Sequence, residues 1–482
     1  MSIVLVLAVA AACAGAGSTT SAAPVSRPNI VVLMTDDQTV ESMRVMHNVK
    51  RLLVDRGASF ENSFVSFPLC CPSRATFLTG QYAHNHGVLS NRPPAGGYEA
   101  LDGSSTLPVW LRRAGYATAH VGKYLNGYGE RSPTEIPPGW SEWHASVDPT
   151  SYRYYDYTLN ENGRLVKYGR DRASYKTDVY AETAVDIIRR RAGGEAPLFL
   201  SVAFLAPHAG GPYGDDRPPG TALPASRHRG RFATEPLPKP PSFNEADVSD
   251  KPGGVRIRPR LDRNAVAQVT EGYRLRLESL LAVDEAVARI VDALECTGEL
   301  DNTLIVFTSD NGFLQGEHRI PTGKVALYEP STRVPLVVRG PGVPAGVRLR
   351  QEVANIDLAP TIAEAAGARA GLVMDGESLW PFLRDPGPSR PRDLLHEGPG
   401  TAPSVLQFTA VRTPRWLYAR HFSGAVELYD LSRDPDELTN LAADPATAAI
   451  RAELGKRLDA LRSCAGETCR GEPRRSRTSP RS

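Results

Sequence analysis

The sequence predicts an α/β fold with a parallel sheet at its centre and a smaller unit at the C-terminal end. Three observations carry that expectation. Asn29-Ile30-Val31-Val32-Leu33-Met34 and Thr303-Leu304-Ile305-Val306-Phe307 are unbroken β-branched and aliphatic runs, which suit strands buried on both faces. Between Arg263 and Leu294, residues Leu277, Leu280, Leu281, Val287, Val291 and Leu294 fall on one stripe, as an amphipathic helix packed on the sheet requires. Near the end, Trp416 to Phe422 and Val426 to Leu431 flank Ser423-Gly424 and read as a hairpin.

Taken in order, the chain opens on an apolar stretch, Ile3 to Ala12, too short to span a bilayer. Small residues and Ser18-Thr19-Thr20-Ser21 follow. Residues 1–26 therefore read as a signal peptide and linker, although no Lys or Arg precedes the apolar core. The protein is expected to be exported, either secreted or held at the cell surface. Cys13 is a candidate lipidation site, and membrane attachment is expected only through it. Residues 27–370 form the large domain. Within it, Ala209 to Pro259 is dense in Pro, Gly and charge and reads as a long surface excursion. Asp284 lies on the apolar stripe of the long helix, where a carboxylate needs a hydrogen-bonding partner. Residues 371–462 form the smaller unit, closed by a helix from Pro445 to Leu461 with Asp444 as its N-cap. Residues 463–482 combine a small disulfide loop, Cys464 to Cys469, with a basic unstructured tail. Cys71 and Cys296 are expected to be buried thiols.

Composition bounds the function. The 482 residues are 41% hydrophobic, enough for a large core. A net charge of +2 argues against a dedicated nucleic-acid binder, so attraction of any anionic substrate must come from local charge.

Each apolar run ends in a polar pair, Asp36-Asp37 after the first and Asp310-Asn311 after the second. Ligands of open α/β sheets sit beyond the carboxyl ends of the strands. Three Asp and one Asn gathered there need a cation, and an all-oxygen set suits Ca²⁺ or Mg²⁺ and argues against zinc. A second local signal is Cys70-Cys71-Pro72-Ser73-Arg74, followed by Ala75-Thr76-Phe77-Leu78-Thr79-Gly80. Pro72 suits a first helical turn and Gly80 a helix stop. That puts a reactive side chain at a helix N-terminus, where backbone N–H groups favour an anion.

This cysteine, one variable residue and then Pro-Ser-Arg resembles the signature of type I sulfatases. Further blocks look like that family's, in the same order: Val121-Gly122-Lys123-Tyr124-Leu125-Asn126, Ala206-Pro207-His208 and Thr322-Gly323-Lys324. The likeness is strongest to N-acetylglucosamine-6-sulfatases and heparan 6-O-endosulfatases, and runs from about residue 27 to about 462. It implies an alkaline-phosphatase-like fold, a large mixed sheet flanked by helices with a smaller C-terminal antiparallel sheet plus helix. It also implies a hydrolase of sulfuric esters acting on a sulfated carbohydrate or an aryl sulfate. In that family the first cysteine becomes Cα-formylglycine, so maturation calls for a formylglycine-generating enzyme as partner. By resemblance, Cys70 is the nucleophile position and Arg74 steadies its hydrate. Asp36, Asp37, Asp310 and Asn311 bind Ca²⁺ or Mg²⁺, with an oxygen at position 70 completing the shell. Lys123 and Lys324 contact the formylglycine and the sulfate, and His208 protonates the leaving oxygen.

One departure stands out. Many sulfatases carry a histidine two residues after the first lysine, and here that residue is Leu125. His318 is a candidate replacement. His84, His86 and Asn126 are candidates to line the substrate pocket. Two other readings compete: a phosphomonoester or phosphodiester hydrolase on the same fold, and a non-catalytic sulfoglycan-binding protein in which Cys70 stays a thiol.

Overall fold

Side chains alternate across a strand, so a strand apolar at every position needs cover on both faces. The computed structural model describes residues 27–211, 221–402 and 406–470 and shows how that cover is arranged. The leader at 1–26, Cys13 and the tail beyond residue 470 lie outside the described residues. Ten strands form the large sheet: β1 (Asn29–Thr35), β2 (Ala58–Phe64), β3 (Ala117–Gly122), β4 (Glu142–Ser146), β5 (Tyr157–Glu161), β6 (Arg164–Tyr168), β7 (Leu198–Ala203), β8 (Thr303–Ser309), β9 (Leu336–Arg339) and β10 (Val347–Ala354). Their spatial order is β10-β2-β9-β8-β1-β7-β3-β4-β5-β6. The centre, β8-β1-β7-β3-β4, is parallel, whereas β9 runs antiparallel to β8 and β5 antiparallel to β4.

The two faces carry separate cores. Val31, Leu33, Ile305, Phe307, Leu200 and Val202 point one way, into a core with Leu277, Leu280 and Val287 of the long helix Arg263–Cys296. Ile30, Val32, Leu304, Val306 and Phe199 point the other way, against Ala75, Phe77 and Leu78 of the helix Cys70–Thr79. Asp284, on the stripe of the long helix, accepts from Val49 N at 2.8 Å and from Asn48 N at 3.0 Å. It caps the turn that starts at His47, a structural role.

The smaller unit is a four-stranded antiparallel sheet, β11 (Leu394–Glu397), β12 (Phe408–Arg412), β13 (Trp416–His421) and β14 (Val426–Asp430). The expected hairpin is β13-β14. The helix Ala448–Leu461 packs on this sheet through Leu454, Leu458 and Leu461, and Asp444 caps the turn before it by accepting from Ala446 N. Residues just past 370 still belong to the large core, because Leu379, Trp380 and Leu383 are buried in it. Cys464 and Cys469 are bridged. Cys296 corrects the sequence expectation: it is exposed at the end of the long helix, while Cys71 is a buried free thiol. Among the described residues, no helix is long and apolar enough to cross a membrane.

Two histidines, His120 and His396, are built into these cores as neutral rings. Burial pushes both down to about 3. The unfolded chain titrates near 6.5, so it takes up protons first as pH falls. Stability is therefore expected to drop below about pH 6.5, by about 1.4 kcal/mol per pH unit for each ring. Urea unfolding between about pH 7 and pH 5 measures the slope, and His396→Gln should flatten it by one proton's worth.

Candidate active site

β1 and β8 are parallel neighbours in register, with Thr35 beside Ser309. The residues that follow them, Asp36-Asp37 and Asp310-Asn311, therefore leave the sheet side by side at its carboxyl edge. β7 flanks β1 on the other side, and the chain beyond it carries His208. β3 comes next, and Lys123 follows its last residue. Four adjacent strands thus deliver polar groups to one edge of the sheet.

The helix Cys70–Thr79 delivers two more. It begins at Cys70 itself, with Pro72 in its first turn, and Gly80 stops it in the left-handed region at φ 67°. Cys70 and Arg74 are four residues apart on this helix and share a face. Ser73 donates to the Asp310 carbonyl, and Asn355 Nδ2 donates to Ser73 Oγ at 2.9 Å, so the first turn is fixed to the loop after β8.

Arg74 donates from Nε to Asp310 Oδ2 at 2.8 Å and from Nη2 to Asp36 Oδ2 at 3.1 Å. Lys123 Nζ also donates to Asp36 Oδ2. Lys324 Nζ donates to Asp37 Oδ1 and reaches Cys70 Sγ at 2.7 Å. Cys70 Sγ lies 3.6 Å from Asp36 Oδ1, and His208 Nε2 lies 3.6 Å from Asp37 Oδ2. Asp37 N donates to Asp310 Oδ1 at 3.1 Å. Asp37 is left-handed at φ 68°, a conformation that costs an L residue about 1–2 kcal/mol and is held here by these contacts.

Charge dominates the chemistry of this cluster. Burial alone would raise the Asp36 carboxyl, but Lys123, His208 and Arg74 outweigh it and hold the group below its ordinary range. Asp37 is lowered in the same way, against burial, by Lys324 and His208. Burial opposes the charge on Lys123, and Asp36 with Cys70 more than restores it. Burial, with Asp36 beside it, pushes the Cys70 thiol up to about 11. An unmodified Cys70 is thus a protonated thiol at neutral pH, and the thiol form is a poor nucleophile.

The cluster could hold a metal ion. Ligand atoms of Asp36, Asp37, Cys70 and His208 lie within 4.8 Å of one another. Asn311 Nδ2 donates to Asp37 Oδ1 at 2.6 Å and to Gly312 O at 2.8 Å, which leaves Asn311 Oδ1 buried with no partner. A buried acceptor without a partner costs about 1–3 kcal/mol, and a cation among these carboxylates would satisfy it. Carboxylate and carboxamide oxygens suit Ca²⁺ or Mg²⁺.

Other candidates lie elsewhere. His84 Nδ1 bonds Glu397 at 2.9 Å and its Nε2 bonds the Cys464 carbonyl at 3.0 Å. His86 uses Nε2 on Thr76 Oγ1 and Nδ1 on Val88 N. Both rings hydrogen-bond within the chain, and His84 lines a small cavity with Glu397 and Arg462. His318 is buried against Tyr328 and paired through Nδ1 with Glu245 at 2.7 Å. Leu125 itself packs in the core. Asn126 reaches the cluster indirectly, through a 2.5 Å bond to Tyr152 OH.

Two contributors escape a reading of the sequence. Lys123 Nζ sits 4.3 Å above the Tyr152 ring, which also packs 4.7 Å from the His208 ring. Arg276 donates to the Asp37 carbonyl from the long helix. Neither stands in a motif, and only the tertiary fold brings them here.

Comparison with known proteins agrees with this architecture. The family described as Sulfatase matches residues 28–368, and the family described as N-sulphoglucosamine sulphohydrolase, C-terminal, matches residues 316–464. The chain belongs to the sulfatase family and is an enzyme that hydrolyses sulfate esters. It is similar to the N-acetylglucosamine-6-sulfatase of Homo sapiens, 35% identical over 496 residues, which span 93% of this chain and 87% of that one. An arylsulfatase of Volvox carteri is 34% identical across 96% of this chain and 79% of its own. A structure solved in complex with its substrate, D-glucosamine-2-N,6-O-disulfate, shares the fold at a TM-score of 0.73 and 24% identity, over 90% of this chain and 97% of that one.

Arg74 joins two buried carboxylates. Replacing it leaves both without their shared guanidinium, so Arg74→Met is expected to cost about 3–5 kcal/mol of stability. Chemical denaturation in metal-free buffer checks this.

Proposed function

We propose that this sulfatase removes a sulfate ester from a sulfated amino sugar, with 6-O-sulfated glucosamine as the leading candidate. The observation that carries the reading is the seating of residue 70: at a helix N-terminus, 2.7 Å from Lys324 Nζ and beside Asp36. A divalent ion held by Asp36, Asp37, Asp310 and Asn311 would supply positive charge for the sulfuryl oxygens, and a formylglycine at position 70 a hydrated aldehyde as nucleophile.

The chain's own residues do the rest. Lys123 and Lys324 approach residue 70 and Asp36–Asp37 with ammonium groups, where they would balance charge building on sulfate oxygens. Arg74 orients Asp36 and Asp310 and so sets the shape of the anion site. His208 Nδ1 lies 2.6 Å from the Ala209 carbonyl, so Nδ1 carries the proton and Nε2 faces the cluster. Burial lowers this ring below the ordinary histidine value, which makes its protonated form a stronger acid toward a leaving alkoxide.

A cavity of about 650 Å³ opens beside Lys324. Thr322, Gly323 and Tyr328 line one side, and His421 and Phe422 of the β13-β14 hairpin line the other. That volume suits a sugar unit, and an aromatic wall suits the apolar face of a pyranose ring. Relatives named for N-acetylglucosamine-6-sulfate support the same substrate class. On this reading residues 27–370 are the catalytic domain, residues 371–462 complete the substrate cavity, and the enzyme works outside the cytoplasm, consistent with the Cys464–Cys469 bridge.

Peptide mass spectrometry should find the Cys70 peptide lighter by about 18 Da, the mass lost when cysteine becomes formylglycine. Cys70→Ala should abolish turnover of glucosamine 6-sulfate, while Cys71→Ala, at a core thiol, should keep most of it. Equal loss in both variants would contradict the assignment. Chelation of the modified enzyme should stop turnover of the same sugar, and Ca²⁺ or Mg²⁺, but not Zn²⁺, should restore it. Faster hydrolysis of a phosphate diester than of any sulfate ester would overturn the substrate class.

A further inference from the structure

We propose that Arg276 is a positioning residue that sets the geometry of three active-site loops at once. The inference rests on the sulfatase reading of the site above. Arg276 stands in the middle of the long helix Arg263–Cys296, 8% exposed. Its Nη2 donates to the Asp37 carbonyl, and its Nη1 donates to the Pro207 carbonyl at 3.1 Å. Its guanidinium carbon lies 4.1 Å from the centre of the Phe313 ring.

Each contact belongs to a different loop. Asp37 ends the first acidic pair, after β1. Pro207 is the residue before His208, after β7. Phe313 comes two residues after Asn311, in the loop after β8. These strands are neighbours in the order β8-β1-β7, so one planar cation spans the edge they share. The contacts are to main-chain oxygens and to a ring face. Arg276 therefore touches no reacting atom and acts only through the residues it fixes.

The side chain is suited to this task in a way that lysine is not. Two N–H groups on one rigid fork can serve two carbonyls at a set separation, and the flat face is free to stack on an aromatic ring. A lysine offers one point charge and no plane. The Asp37 backbone is the part most in need of a clamp, because it is left-handed at φ 68° and not glycine. Releasing its carbonyl frees the peptide that orients both Asp37 oxygens. Releasing the Pro207 carbonyl frees the turn that aims His208 Nε2.

Calorimetric titration of Ca²⁺ into metal-free protein tests the inference alongside steady-state kinetics on glucosamine 6-sulfate. The variants are Arg276→Lys, Arg276→Met and Phe313→Leu. Loss of an outer support of this kind weakens metal affinity about 10- to 100-fold, and that loss is expected for both Arg276 variants. Their kcat should stay depressed at saturating Ca²⁺, because the His208 turn is loosened as well. Phe313→Leu keeps both hydrogen bonds and should fall between wild type and Arg276→Lys. If Arg276→Met does not fold, the other two variants still decide. A lowered melting temperature with Ca²⁺ affinity and kcat unchanged in Arg276→Lys would overturn the proposal, since a merely structural arginine behaves that way. Wild-type protein that takes up no divalent ion would instead overturn the metal reading, and this inference with it.

Discussion

Three carboxylates are brought out of water at the ends of two adjacent parallel strands, and the site is organised around that electrostatic problem. Two like charges about 4 Å apart repel by about 4 kcal/mol even at an effective dielectric of 20. Asp36, Asp37 and Asp310 are each buried. Arg74, Lys123 and Lys324 answer them with three positive charges, all in direct contact with the acids. The cluster is near neutrality as it stands. A divalent cation would leave it with a net charge of about +2, and a bound sulfate monoester, with its single negative charge, would offset part of that. Selection of an anion thus follows from charge arithmetic within a chain whose overall charge is almost zero.

The sheet topology makes this arrangement possible. A parallel strand points its carboxyl end in the same direction as its neighbours, so consecutive strands in space can each send a loop to one edge. Here the loops come from sequence positions as far apart as Asp36 and Asn311. The helix Cys70–Thr79 covers the opposite face from the long helix, and its first turn meets the same edge. Residue 70 therefore sits where helix dipole, Lys324 and the acidic loops converge.

Much of this was legible because certain signals are local. Buried parallel strands are apolar at every position, so β1 and β8 could be read directly, and the polar pairs just after them marked the sheet edge. The Cys70 to Gly80 helix announced itself through Pro72 and Gly80. The histidines were not legible, because a histidine beside a motif looks the same whether its nitrogens face a ligand or the backbone. His84 and His86 follow the nucleophile helix closely in sequence, yet Glu397, the Cys464 carbonyl and Thr76 hold their nitrogens. Cys296 was misread because a cysteine near the end of an amphipathic stripe resembles a core residue, whereas the helix turns it outward. Arg276 and Tyr152 lie in no motif, and their roles depend on contacts far along the chain, with Asp37 for Arg276 and with Lys123 and His208 for Tyr152.

The contacts of His84 also show why the small C-terminal unit is more than an appendage. The chain leaving the helix Cys70–Thr79 is gripped from that side. Ala83 N donates to Glu397 at 2.9 Å, while Tyr82 N and Asn85 Nδ2 donate at 2.8 Å to Asp375, which precedes the four-stranded sheet and lies in the segment that belongs to the large core. Asn85 Nδ2 also meets the Cys464 carbonyl at 2.9 Å, beside the bridge to Cys469. Glu397 ends β11, so the four-stranded sheet is bonded directly to the segment that follows residue 79. The same sheet carries the hairpin that walls the cavity beside Lys324. The segment after the helix Cys70–Thr79 and the wall of the cavity beside Lys324 are therefore both tied to the one four-stranded sheet, so packing and not a linker relates them.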